Sequence, residues 1–139
     1  MNKNLVQEIY SRNYGSIEFY HRNYYKSLVY TEGILDFQKT LNAYWFVDWV
    51  IGNMKTVIDT YKTNNDGFFV ITIKFDKKKN CFLEIFREGY IEGEYCEHIT
   101  VLKEQVYITN LPIYDDHKFY LILSNPNPIQ FTLLLTTEY

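Results

Sequence analysis

The sequence predicts an α+β protein: N-terminal helices, one of them long and aromatic, packed on a mainly antiparallel sheet of five to six strands. Three observations predict it. Apolar residues recur at helical spacing as far as Tyr61. From Phe68 onward they alternate with a period of two. Short polar turns join the strand-like runs, which favours a meander with the helices segregated on one face. A strongly curved sheet wrapped around the long helix satisfies the same pattern. No internal repeat or low-complexity linker divides the chain, so residues 1–139 suit a single domain with a sizeable core.

Leu5, Val6, Ile9 and Tyr10 predict a short amphipathic helix over Asn4 to Ser11, ending before Gly15. Ile17, Phe19 and His21 alternate with Glu18, Tyr20 and Arg22, a strand or extended arm with aromatic faces that continues to Tyr25. Thr31 suits the N-cap of a helix whose apolar face is Ile34, Leu35, Phe37, Gln38 and Leu41.

The long helix follows, with Asn42 as its expected cap. Phe46, Val50, Met54, Val57, Ile58 and Tyr61 form one wide stripe, and Trp45 and Trp49 broaden it. These are the structural residues of the fold. Gly52 is a local fault costing about 1 kcal/mol relative to alanine, and it leaves room for another element to approach. Asp48, on the opposite side, reads as a solvated carboxylate or as a partner for Arg22, His21 or a backbone amide. Asn64, Asn65, Asp66 and Gly67 end the helix with turn chemistry.

Phe69, Ile71, Ile73 and Phe75 then form one face of a strand, and Phe68, Val70, Thr72 and Lys74 the other. After a lysine-rich turn, Cys81, Leu83 and Ile85 alternate with Phe82, Glu84 and Phe86 to complete a hairpin. Two glycines between Glu88 and Gly93 break the run. Tyr95 to Leu102 is a third strand, with His98, Thr100 and Leu102 on one face and Ile99 and Val101 on the other. Glu104 to Thr109 is a short fourth, stopped by Pro112. Lys118 to Leu123 and Ile129 to Leu135 flank the turn Asn125-Pro126-Asn127-Pro128.

Composition bounds the function. A hydrophobic content of 47% is too high for a disordered chain. A net charge of −3 gives no global basic field for nucleic acid or acidic membranes. No run of about 18 apolar residues is present, so no membrane-spanning helix is expected. Met1 to Glu8 lacks the apolar run of a signal peptide. Cys81 and Cys96 do not make a disulfide framework, which suits reduced thiols in a cytoplasmic protein.

The chemistry-bearing motifs are few. There is no GxGxxG, no phosphate loop and no GxSxG elbow. His98 and His117 could join Cys96, Asp115 or Asp116 at a metal, but the spacing matches no zinc pattern. No metal and no cofactor is therefore expected. His21, beside Glu18 and Arg22, could do acid–base work with Asp48, or be a surface histidine.

The remaining candidates suit binding. Lys77, Lys78 and Lys79 crowd one turn, and Glu88, Glu92 and Glu94 belong to an acidic stretch. Both have a plain reading as solubilising charge at sheet edges. As a bipolar surface they would meet phosphates or a basic protein groove. The 14 tyrosines, among them Tyr20, Tyr24 and Tyr25 around His21 and Arg22, suit protein recognition better than base stacking in a chain of this charge. An AT-rich genome would enrich tyrosine equally.

Tyr14-Gly15-Ser16, Tyr20-His21-Arg22, Tyr30-Thr31-Glu32-Gly33, Ala43-Tyr44-Trp45-Phe46 with Asp48, Lys118-Phe119-Tyr120-Leu121 and the terminal Leu134-Leu135-Thr136-Thr137-Glu138-Tyr139 follow in an order and spacing that resemble a small domain-of-unknown-function family of bacteria, phages and mobile elements. YTxG and AYW(F/L)xD are its most specific pieces. His21 before Arg22 departs from the family, whose members place the basic residue first. The resemblance brings no catalytic residues. It implies a non-enzymatic binder or inhibitor of host machinery, a host protein or ribonucleoprotein such as a CRISPR-type defence nuclease. A small nucleic-acid-binding module contacting RNA is the alternative, and a small enzyme around His21 and Asp48 the third.

Overall fold

A computed structural model describes residues 8, 9, 12, 13, 19–22, 25–107 and 115–139. Strands β1 (Phe19–Tyr20) and β2 (Leu28–Thr31) precede helices α1 (Glu32–Leu41) and α2 (Trp45–Asn64). Strands β3 (Phe68–Phe75), β4 (Cys81–Ile91), β5 (Glu94–Val106), β6 (His117–Pro126) and β7 (Ile129–Leu135) follow, and a 3₁₀ turn spans Thr136–Glu138.

The strands form one seven-stranded mixed sheet in the order β1-β2-β7-β6-β3-β4-β5. Among the described residues only β2 against β7 is parallel. The expected α+β class is present, but among the described residues the sheet has seven strands, and helices α1 and α2 lie between β2 and β3. The count is higher because two-residue β1 and four-residue β2, too short to show a period, join the sheet, which outweighs the merging of two expected strands into β5. β4 likewise runs on through Gly89 to Ile91, and the break comes at Glu92 and Gly93, both with positive φ.

Both helices cover one face of the sheet. Phe37 of α1 and Phe46 of α2 meet Phe119 of β6, with ring centroids 5.1 and 4.5 Å apart. Val50, Met54 and Val57 are fully buried with them, and Trp45, Trp49 and Ile58 pack partly buried at the margin. Phe69, Ile71 and Ile73 alternate inward as the period of two requires.

Thr31 caps α1 through its side chain, 3.4 Å from Ile34 N. Asn42 does not cap α2. It closes α1 in the left-handed conformation (φ 52°), which asparagine tolerates, and Tyr44 starts α2 without a side-chain cap. Asn65 (φ 54°) closes α2 in the same way. Gly52 has no close neighbour: a Cβ there meets nothing within 4 Å.

At the N-terminus, residues 8, 9 and 12 are helical and Ile9 is buried. The rest of the expected first helix, Tyr24, the end of the expected fourth strand and Pro112 lie outside the described residues.

Candidate functional site

The face of the sheet opposite the helices carries the densest chemistry. Strand register fixes its layout, because directly paired residues share a face. Lys118, Thr72, Glu84 and Lys103 form one row across β6, β3, β4 and β5. Tyr120, Val70, Phe86 and Thr100 form the next, and Lys74 with Phe82 and Gln105 form the row toward the lysine turn.

One irregularity completes the face. Ile85 pairs with Leu102 and Phe86 with Thr100, so Val101 is an extra residue in β5. The bulge separates Leu102, packed against the core, from Thr100 and His98 on the opposite face. The simple alternation expected for this strand, which put all three on one face, is thereby corrected.

Glu84 is the centre of the resulting cluster, only 8% exposed. Its Oε2 accepts from Thr100 Oγ1 at 2.5 Å and lies 2.7 Å from His98 Nε2. Burial pushes the carboxyl up, but the hydrogen bonds from Thr100 and His98 and the positive charge of Lys103 hold it below the usual carboxylate range. The His98 ring stacks on Phe86 at 3.8 Å between centroids and 13° between planes. Lys103 Nζ stands 5.8 Å from the Phe82 ring centre, and Lys118 Nζ 5.9 Å from that of Tyr120.

Clefts line this face end to end. One of about 580 Å³ is bordered by Phe68, Phe86, His98, Lys118 and Tyr120. A second of about 270 Å³ shares Phe86, His98 and Lys118 with it, and a third of about 290 Å³ shares Thr72 and Lys74 with the second.

The two charged turns sit at opposite ends of β4, an eleven-residue strand, which puts them about 30 Å apart. Asp76 organises the lysine turn by accepting from Lys78 N and Asn80 N, and these contacts hold its carboxyl below the usual range. Lys77, Lys78 and Lys79 are all exposed there, Lys79 with positive φ. At the other end Tyr90 (71% exposed), Ile91 (49%) and Tyr95 (52%) project among Glu92 and Glu94. The Tyr90 and Tyr95 rings lie 5.5 Å apart, and Tyr95 donates to Glu88 at 2.6 Å. That hydrogen bond raises the Tyr95 phenol to about 12, so it is a neutral, fixed donor.

The N-terminal candidates are tied into the fold. Tyr20 stacks on Tyr30 at 5.9 Å. Arg22 donates to Gln38 Oε1 at 2.8 Å and to Tyr44 O at 3.1 Å. Its Nε lies 3.2 Å from Asp48 Oδ1, an ion pair without hydrogen-bond alignment. Of the partners considered for Asp48, the structure thus brings Arg22 to it. His21 is exposed, and Tyr25 is half-buried, its phenol raised by burial. Among the described residues the exposed tyrosines do not form one patch: Tyr90 pairs with Tyr95, Tyr139 packs on Phe68 and Tyr120, Tyr44 precedes α2 and Tyr107 follows β5.

Among the described residues, no three His, Cys, Asp or Glu side chains are arranged to hold a metal ion. Cys81 and Cys96 are free thiols, and burial pushes Cys81 up to about 11. No helix of the described residues is long and apolar enough to cross a membrane.

Sequence reasoning missed the Glu84–His98–Thr100 cluster. A carboxylate between Phe82 and Phe86 on an alternating strand was its one visible signal. Compared with known proteins, the chain matches no family model, no curated protein and no solved structure.

Proposed function

We propose that this chain is a non-enzymatic binding protein that acts by stoichiometric contact with a partner protein, seated at the end of the β4–β5 hairpin. The carrying observation is the exposure of Tyr90, Ile91 and Tyr95 together at that end. Amphipathic rings with few rotatable bonds suit the centre of a contact. Glu88, Glu92 and Glu94 supply an acidic rim, so the matching surface is basic with an apolar notch. The Tyr95–Glu88 hydrogen bond fixes one ring in advance, which lowers the ordering cost of association. The resemblance to a phage and mobile-element family supports an inhibitor of host machinery, including a CRISPR-type defence nuclease or its ribonucleoprotein.

The test is capture from RNase-treated and untreated bacterial lysate by wild type and by the double variant Tyr90→Ala/Tyr95→Ala. The expected result is an RNase-resistant partner that the variant fails to retain and that forms a complex of fixed stoichiometry with purified wild type. Equal capture by the variant, or capture only through RNA, overturns the reading.

A further inference from the structure

We propose that the sheet face opposite the helices is a second, independent site that binds a short stretch of single-stranded nucleic acid. Its rings and lysines are distinct from Tyr90, Ile91 and Tyr95, so it does not depend on the protein contact proposed there, although Glu88 borders both.

The argument starts from register. Phe82 and Phe86 lie four residues apart on β4 with Glu84 between them, on one face, so their rings are about 13 Å apart along the strand. Phe82 is half-buried with Lys103 above it, and Phe86 is overlaid by His98. The outer side of this layered platform remains accessible, since the His98 side chain is 47% exposed. Flat rings presented on a sheet at successive rows are what unstacked bases occupy, whatever their identity.

Charge selects the occupant. Lys74, Lys103 and Lys118 project from neighbouring strands around the rings, and Lys77 to Lys79 extend the positive field beyond Lys74. The acids here are already engaged. Glu84 is buried under Thr100 and His98, Asp76 is held by its own turn, and Asp116 accepts from Phe75 N at 3.4 Å. These hydrogen bonds leave the carboxylates charged, but Lys74, Lys77, Lys78, Lys79, Lys103 and Lys118 outnumber Glu84, Asp76, Asp115 and Asp116, so a local cationic excess exists although the whole chain carries −3. The connected clefts give the site a length that a single small anion does not need. Glu88 and Glu97 border the cleft of about 580 Å³ and limit the bound segment to a few nucleotides.

The test is fluorescence anisotropy of a short labelled oligouridine titrated with the full chain. Three phosphate contacts predict a slope of log affinity against log salt of about −2. Lys103→Glu and Phe82→Leu are each expected to weaken binding about tenfold. Lys62→Glu, the same charge change on the helix layer, is expected to stay within about twofold. Phe82→Leu retains an apolar side chain, so its fold is checked by circular dichroism beside Phe82→Ala. Absence of binding at about 50 mM salt overturns the proposal. So does equal weakening by Lys62→Glu, which would mean diffuse attraction without a site. Competition by polyphosphate as strong as by unlabelled oligouridine at equal charge overturns the stacking. A lysate protein captured by wild type but lost with Phe82→Leu, without oligonucleotide binding, would reassign the face to protein contact.

Discussion

Glu138 and Thr31 stand 107 residues apart and share a 2.6 Å hydrogen bond inside the protein. The same carboxylate accepts from Gly33 N at 3.0 Å and Leu135 N at 2.9 Å. It therefore satisfies a free amide in the first turn of α1, where the helix dipole also favours negative charge. Two segments from opposite ends of the chain, Tyr30 to Gly33 and Thr136 to Tyr139, meet at this point. Gly33 is required by the approach: a Cβ would overlap the Glu138 carboxylate and come within 2.7 Å of Leu135 Cδ1. Glu138→Ala strands a buried hydroxyl and two amides and should cost about 3 kcal/mol. Gly33→Ala should cost a comparable amount by expelling the same carboxylate. Urea denaturation measures both, and a loss under about 0.5 kcal/mol for either would show that the tie is not structural.

Gly52 calls for the opposite outcome. It lies inside α2, and an added Cβ meets nothing within 4 Å. Gly52→Ala should therefore stabilise the chain by about 1 kcal/mol through helix propensity and a less flexible unfolded state. An unchanged or lowered denaturation midpoint would contradict this account of Gly52.

Regular periods made much of the fold legible. The long helix, the inward faces of β3 and β4 and the limits of β7 follow from spacing alone. Three features did not. β2 has four residues, too few to establish a period, and its partner β7 is distant in sequence. Asn42 suits an N-cap and a left-handed C-cap equally, and only the path between α1 and α2 decides. The Val101 bulge reverses which residues share a face, and no residue type announces it. The candidate site depends on that bulge, which explains why Glu84 and His98 read as separate features.

His117 is 3% exposed, and neither ring nitrogen has a hydrogen-bond partner among the described residues. Its ring packs edge-on against Phe37 at 5.4 Å. Burial lowers its pKa to about 4, and Asp115 and Asp116 oppose the shift only partly. The folded state thus holds the neutral ring while the unfolded state takes up a proton near 6.5. The sign follows: this contribution is complete above 6.5, is lost as pH falls, and levels off near 4. Its size is about 3 kcal/mol. The depressed carboxylates Asp36 and Glu84 contribute above the ordinary carboxylate range and are lost below it, a lower window. Denaturation series between pH 7 and pH 4 should show the fall in wild type and a flatter profile in His117→Leu. Parallel profiles would exclude His117 as the source.

Arg22 and Asp48 form an ion pair, but their two substitutions should not cost the same. Asp48 is 65% exposed, so its charge is screened by water, and Asp48→Ala should cost under about 1 kcal/mol. Arg22 does more than balance that charge. Its Nη2 group reaches Gln38 Oε1 and the Tyr44 carbonyl, and its guanidinium lies 6.0 Å from the Tyr30 ring centre. Gln38 is fully buried, and its Nε2 already has no partner among the described residues. Arg22→Ala removes the donor to its oxygen as well and should cost about 2 kcal/mol. Arg22→Lys should recover little, because one ammonium cannot span the acceptors that a planar guanidinium joins. A double-mutant cycle separates the terms: a small coupling beside a large Arg22 effect identifies a hydrogen-bond hub between the N-terminal arm and the helix junction. Equal single costs with full coupling would instead make the ion pair the whole interaction and return Arg22 to the list of surface groups available to a partner.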